Sequence, residues 1–212
     1  MSFLFGFSKD ILRFSAVIIV YVFSLSFHEC SHAYVANLLK DPTAKERGRL
    51  TLNPLKHIDV FGIICVILFK VGWAKPVPID INNFSKPKRD MAIVAIFGPI
   101  SNFVLFFLGS VFFKIYRLFI MKNVNVYVGY FLYIFFSCLI FLNISLCIFN
   151  LIPIPPLDGS RIFMCFLRDK AYYFVMKYES IGGIVVFLLF LNKNFKKAFF
   201  DMVSFFAEFF YF

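Results

Sequence analysis

Four apolar stretches along this chain are long enough to cross a bilayer: Ile11 to Leu39, Met91 to Phe113, Tyr127 to Phe149 and Ala171 to Leu191. A helix needs roughly 20 residues to cover the hydrocarbon layer, so the pattern predicts four spanning helices. A further apolar run, Val60 to Phe69, has ten residues, with Lys56 before it and Lys70 and Lys75 after it. It is too short to span and reads as a re-entrant or surface segment. In Val71 to Ile79, Pro76 and Pro78 exclude a helix, while the interleaved apolar residues suit an edge strand or β-loop near the membrane surface. Near the end, Asp201, Ser204 and Glu208 recur at helical spacing among the aromatics of Phe199 to Phe212, the pattern of a short amphipathic helix lying in the interface. The expected fold class is an all-α polytopic integral membrane protein with about four spanning helices, a re-entrant or β-loop segment and a C-terminal interfacial helix. One membrane-embedded domain, residues 1–212, is expected, with its core in residues 11–170 and C-terminal helices in 171–212. No internal repeat or low-complexity linker divides it.

Composition agrees with that class, since 61% of the residues are hydrophobic, against roughly half in a soluble domain. The 34 phenylalanines follow no cofactor pattern and read as packing and lipid-facing residues. Met1 to Asp10 carry no long charged leader, and the apolar run after them has no small-residue cleavage site, so the first helix is expected to be retained. The net charge of +10 resides in short loops between the apolar runs rather than on one polar face. The lipid bilayer, through its anionic headgroups, is therefore the expected partner, and nucleic acid is not. Lys40 to Lys56 and Lys70 to Asp90 hold five Lys or Arg each, against six on the loops Lys114 to Asn125 and Asn192 to Lys197. The positive-inside bias then puts the first two loops, and Pro153 to Lys170 with them, on the cytoplasmic side. Five cysteines, an odd number without a C-x-x-C pair, read as buried free thiols.

Polar residues that interrupt the apolar runs carry the chemistry. His28, Glu29 and His32 spell H-E-x-x-H inside the first span. Positions four apart share a helix face, so both imidazoles can hold one zinc ion, while Glu29, one step round, faces water as a general base. Ionisable groups inside a membrane are expensive and usually functional, and two of only three histidines fall in this motif. A hydrolytic zinc site needs a third protein ligand. Among the 12 acidic residues, Asp158 stands out: it follows Pro153, Pro155 and Pro156, which break the helix after a span and leave a backbone able to aim a carboxylate into a cavity. Its plainer reading is the cap of a helix starting near Gly159. His57, in a basic loop, reads as a structural hydrogen-bonding residue.

H-E-x-x-H in one spanning helix, with N-x-x-P-x-x-x-x-D-G from Asn150 to Gly159 after a later one, resembles the site-2 protease family of intramembrane zinc metalloproteases position for position. Gly98-Pro99-Ile100-Ser101-Asn102 resembles that family's G-P-x-x-N element. Arg49 to Asp59 and Trp73 to Ile79 resemble its compact bacterial branch, without room for PDZ or CBS domains. The resemblance implies that His28, His32 and Asp158 bind one Zn2+ per chain, that Glu29 activates water, and that Asn150 helps bind substrate or stabilise the oxyanion. It also implies that the substrates are transmembrane segments of other membrane proteins, cut in or near the bilayer of a bacterial inner membrane, with the active site toward the cytoplasm. For Asn150, satisfying helix carbonyls near Pro153 is the alternative; for Pro99 and Asn102, helix packing stands beside substrate contact. Other functions weighed are a catalytically silent scaffold that binds membrane segments and a zinc transporter. A different H-E-x-x-H family, drawing its third ligand from a downstream Glu, is disfavoured because Glu179 and Glu208 lie beyond the proline-rich turn in ordinary surroundings. Oligomeric state is not legible.

Overall fold

The computed structural model describes the backbone of residues 2–59, 62 and 74–211, and the side chains among these from residue 10 to residue 209. Its described helices of seven or more residues are α1 (Ser2–Leu38), α2 (Pro87–Ile115, continued by a π-helical turn over Tyr116–Ile120), α3 (Val126–Asn150), α4 (Asp158–Met164), α5 (Asp169–Lys177), α6 (Glu179–Leu191) and α7 (Lys193–Tyr211). No strand occurs among the described residues. Side-chain chemistry sets the starts: Pro87 occupies the first turn of α2, where a missing N–H costs nothing, and the Asn125 side chain accepts from Tyr127 N to open α3.

α1, α2 and α3 are long and apolar enough to cross a membrane. The fourth expected span, Ala171 to Leu191, is not one straight helix: α5 and α6 meet at a 63° bend. Tyr178 leaves helical geometry there (φ −105°, ψ 21°). Both oxygens of Glu179, the first residue of α6, are held by Arg161 Nη2 at 2.8 and 2.7 Å, which ties the corner to α4. Large side chains such as Phe14, Phe107, Phe112 and Phe119 point outward, a surface that hydrocarbon covers without penalty, as expected of an integral membrane protein.

α2 packs against α1, α3 and α4. Helices in lipid gain little from hydrophobic burial against one another, so close packing and hydrogen bonds decide their association. The largest core joins Phe106, Phe113 and Tyr116 to Ile140 and Ile144 of α3 and to Phe199, Val203 and Ala207 of α7. The C-terminal helix therefore differs from the short one expected over Phe199 to Phe212. It starts six residues earlier because Asn192 Oδ1 accepts from Asn194 N (2.9 Å) and Phe195 N (3.1 Å) as an N-cap. One apolar stripe, at four-residue spacing, is buried on protein.

The segment between α1 and α2 is tied down by polar contacts. Asp41, fully buried, accepts from Thr43 N and Oγ1, Asp80 N and Asn83 Nδ2. Burial pushes its carboxyl pKa up, but these donors outweigh it and hold the group below the ordinary carboxylate range. Val60 to Phe69 and residues 71–73, expected to be re-entrant and strand-like, lie outside the described residues apart from Gly62. Residues 74–80 form irregular chain without a strand ladder. Arg49 Nη2 donates to Lys75 O (2.6 Å), and Lys75 N donates to His57 O (2.8 Å). His57 Nε2 in turn donates to Thr51 O at 2.8 Å, the structural role read from its context. The described cysteines, Cys30, Cys138, Cys147 and Cys165, are free.

Candidate active site

His28 and His32 leave the same face of α1 and reach the backbone of α2 at Gly98. A Cβ on Gly98 would lie 2.5 Å from His28 Cε1 and from His32 Cε1 and Nε2, so the two rings occupy space that only glycine leaves open. Pro99, next in α2, lacks the N–H that would bond the carbonyl one turn earlier, and α1 side chains bond neighbouring carbonyls. His32 Nδ1 donates to Val94 O (2.9 Å), and Ser31 Oγ donates to Phe97 O (3.0 Å). One turn beyond Gly98, Asn102 Oδ1 meets His28 Nδ1 at 2.6 Å.

Asp158 comes from the other side. It opens α4 directly after the proline turn, and Gly159 lets that turn press against the end of α3: a Cβ there would lie 2.3 Å from Leu151 O. Its carboxylate does not act as the helix cap considered from the sequence. Asp158 Oδ2 lies 3.2 Å from His28 Nε2 and 3.4 Å from His32 Nε2, and the two Nε2 atoms are 3.1 Å apart. Among the described residues, this trio is the group of side chains able to hold a metal ion.

The electrostatics of this triangle ask for a cation. Val94 O can only accept, so the proton of neutral His32 sits on Nδ1 and its Nε2 presents a lone pair. Asn102 Oδ1 does the same for His28. Two lone pairs and a carboxylate oxygen therefore converge at 3.1–3.4 Å, and Asp158 Oδ2 is buried without a hydrogen-bond partner. Ligand atoms about 2.0–2.1 Å from a tetrahedral ion lie about 3.3 Å from one another. The donor set and its edges fit zinc.

A cavity of about 420 Å3 opens on the trio, with Glu29, Val77, Asn150 and Glu179 also on its wall. Glu29 Oε2 accepts from Val77 N at 3.1 Å. Asn150 is brought to the same space, but its Nδ2 donates to Leu146 O at 3.0 Å, the carbonyl one turn back in its own helix. His57 does not join the trio. Glu179, read as ordinary from the sequence, does reach the cavity wall, though its carboxylate is spent on Arg161.

From sequence, Asn102 reads as a packing or substrate-contact residue and Asn143 carries no assigned role. The structure makes Asn102 a partner of His28, and its Nδ2 donates to Asn143 Oδ1 at 2.9 Å. An asparagine in the middle of an apolar spanning run was the available signal, since such a side chain is costly in hydrocarbon unless it is used.

The sequence profile of Peptidase family M50 matches residues 113–191, a segment that contains Asn150 and Asp158 but not the histidine motif. A protein of Bacillus subtilis named "Putative zinc metalloprotease YwhC" is 40% identical over 177 residues, covering 83% of this chain and 80% of its own. The chain belongs to Peptidase family M50. It is a metalloprotease of the site-2 protease family, as its motifs imply. This M50 peptidase is also 28% identical, over 92% of its length and 74% of the relative's, to a Mycolicibacterium smegmatis protein named "Putative zinc metalloprotease Rip2". No solved structure is significantly similar to it.

Proposed function

We propose that this M50 peptidase binds one zinc ion per chain through His28, His32 and Asp158 and cleaves peptide bonds in or near transmembrane segments of other membrane proteins. The observation that carries the reading is the convergence of His28 Nε2, His32 Nε2 and Asp158 Oδ2 at 3.1–3.4 Å. A zinc ion held there would supply a Lewis acid and would make a nearby water acidic near neutral pH. Glu29, the residue after His28 and on the wall of the same cavity, takes the proton of the attacking water and returns it to the leaving amine. Asn150 Nδ2 serves the developing oxyanion by exchanging its bond to Leu146 O for one to substrate.

A helical substrate hides its carbonyls in its own hydrogen bonds, so it must unwind before attack. Val71 to Ile79 receives the unwound strand by main-chain pairing; in support, Ala74, Pro76, Val77 and Ile79 of that segment line the cavity. Charge bias in the loops supports a bacterial cell membrane orientation with the active site toward the cytoplasm. The whole chain, residues 1–212, acts as one domain.

The test is cleavage of a reconstituted transmembrane substrate by the purified protein, with bound zinc counted by atomic emission. Zinc near one equivalent, cleavage inside the membrane segment and loss of cleavage in Glu29→Gln with zinc retained are expected. Unaltered cleavage by Glu29→Gln would overturn the reading.

A further inference from the structure

We propose that Asn143 of α3 is a positioning residue for the zinc site: through Asn102 it fixes the His28 imidazole in the one neutral tautomer that can bind a metal. This goes beyond the proposed function and rests on its assignment of His28 as a ligand.

Leu139 O can only accept, and Asn143 Nδ2 donates to it at 2.8 Å. The same Nδ2 donates to Ser24 Oγ of α1 at 2.9 Å. The NH2 end of Asn143 is thereby fixed, so its Oδ1 faces Asn102 and accepts from Asn102 Nδ2 at 2.9 Å. That settles the second amide: its NH2 end points to Asn143 and its Oδ1 points to His28 Nδ1, 2.6 Å away. An amide oxygen can only accept, so Nδ1 carries the proton and Nε2 carries the lone pair aimed at Asp158. Orientation passes from a main-chain carbonyl of α3, through two amides, to a ring nitrogen on α1.

Among the described residues, Asn102 is the partner of His28 Nδ1. His32 has its own main-chain acceptor, Val94 O. Asn102 is an amide able to turn over and offer Nδ2 to the ring, which would favour the tautomer with its proton on Nε2 and none free to bind metal. Asn102 and Asn143 are both fully buried, so water does not set their orientation. The two neighbouring ligands therefore depend on different supports, and only His28 depends on α3.

The experiment compares zinc retention by full-length protein in detergent against graded chelator, for the unaltered chain, His28→Ala and Asn143→Leu, a near-isosteric apolar replacement. Partners behind a metal-bound histidine typically change affinity about 10- to 100-fold. Asn143→Leu is expected to lose zinc affinity by about that factor, with Asn143→Asp, whose protonated carboxyl can still donate to Leu139 O and accept from Asn102, recovering part of it. A folded Asn143→Leu that holds zinc as tightly as the unaltered chain overturns the proposal, whereas a His28→Ala that does so overturns the ligand assignment beneath it. Nitrogen-15 spectra of the three histidine rings give a readout that a merely structural role would not move. His28 Nδ1 should stay protonated in the unaltered protein with zinc bound and after chelation, and should lose that preference in Asn143→Leu while His32 keeps it. If the leucine variant does not fold, an unprotonated His28 Nδ1 in the chelated, unaltered chain still overturns the proposal.

Discussion

Ser24, His28, His32, Asn102 and Asn143 are buried between α1, α2 and α3, whereas among the described residues of α5 to α7 no histidine, asparagine or charged side chain is buried. The first region is joined by directional bonds, His28 to Asn102 to Asn143 to Ser24. The second is joined by apolar packing, with Phe199, Val203 and Ala207 on the core and Phe149, Phe190 and Phe199 in edge-to-face contact. The difference shows where each kind of interaction is tolerated. A buried polar group in a membrane costs free energy unless it is satisfied and used, so it gathers around the proposed zinc site. Helices that only enclose the site are held mainly by shape, with the Arg161–Glu179 ion pair at one corner.

From that contrast, substitutions in the two regions are expected to fail in different ways. The largest effect belongs to Glu29→Gln, with a fall in turnover of about 10²–10⁴-fold, the range for a lost general base, and zinc content unchanged. A loss of zinc together with activity would mean that Glu29 belongs to the binding geometry instead. Gly98→Ala comes next. Its methyl would sit 2.5 Å from both imidazoles, so the rings or α2 must move, and zinc affinity is expected to fall by about 10- to 100-fold, as when a partner supporting a metal ligand is lost. Chelator titration checks this; an unaltered affinity would show that the rings have room that the structure denies them.

In the enclosing region the expected signature reverses. Val203→Ala, in the buried stripe of α7, should lower stability by about 1–2 kcal/mol through the cavity it leaves, read as a lower unfolding temperature in detergent, with zinc affinity preserved. Smallest of all is Lys88→Ala, where the start of α2 meets the enclosing helix α5. It breaks an ion pair of 2.7 Å to Asp169, whose side chain is 79% exposed, and solvent screening leaves such a pair about 0–1 kcal/mol. A large loss of zinc in either variant would erase the distinction between the two regions.

Sequence made the site legible to different depths. His28, Glu29 and His32 could be read because helical spacing alone puts them together, and Asp158 because three prolines before it break a helix where a spanning run ends. Three of the spanning helices were legible for the same reason: length and hydropathy decide them. The corner at Tyr178 was not, since it depends on Arg161 and Glu179 meeting across 18 positions of sequence. The start of α7 was carried by one N-cap, Asn192, within a run of polar residues that reads as a loop. Asn102 and Asn143 were visible as polar residues in apolar helices, but their pairing is 41 positions apart and rests on how α2 and α3 pack. Gly98 looked like part of a motif; its reason, the closeness of two rings on another helix, exists only in three dimensions.

The central claim is a zinc ion held by two imidazoles and one carboxylate. X-ray absorption at the zinc edge on the purified chain, beside Asp158→Ala, tests it most directly. The account predicts about one zinc per chain with two histidine nitrogens and a carboxylate oxygen in its first shell, and loss of that oxygen together with most of the affinity in the variant. A zinc shell and affinity unchanged by removing Asp158 would contradict it.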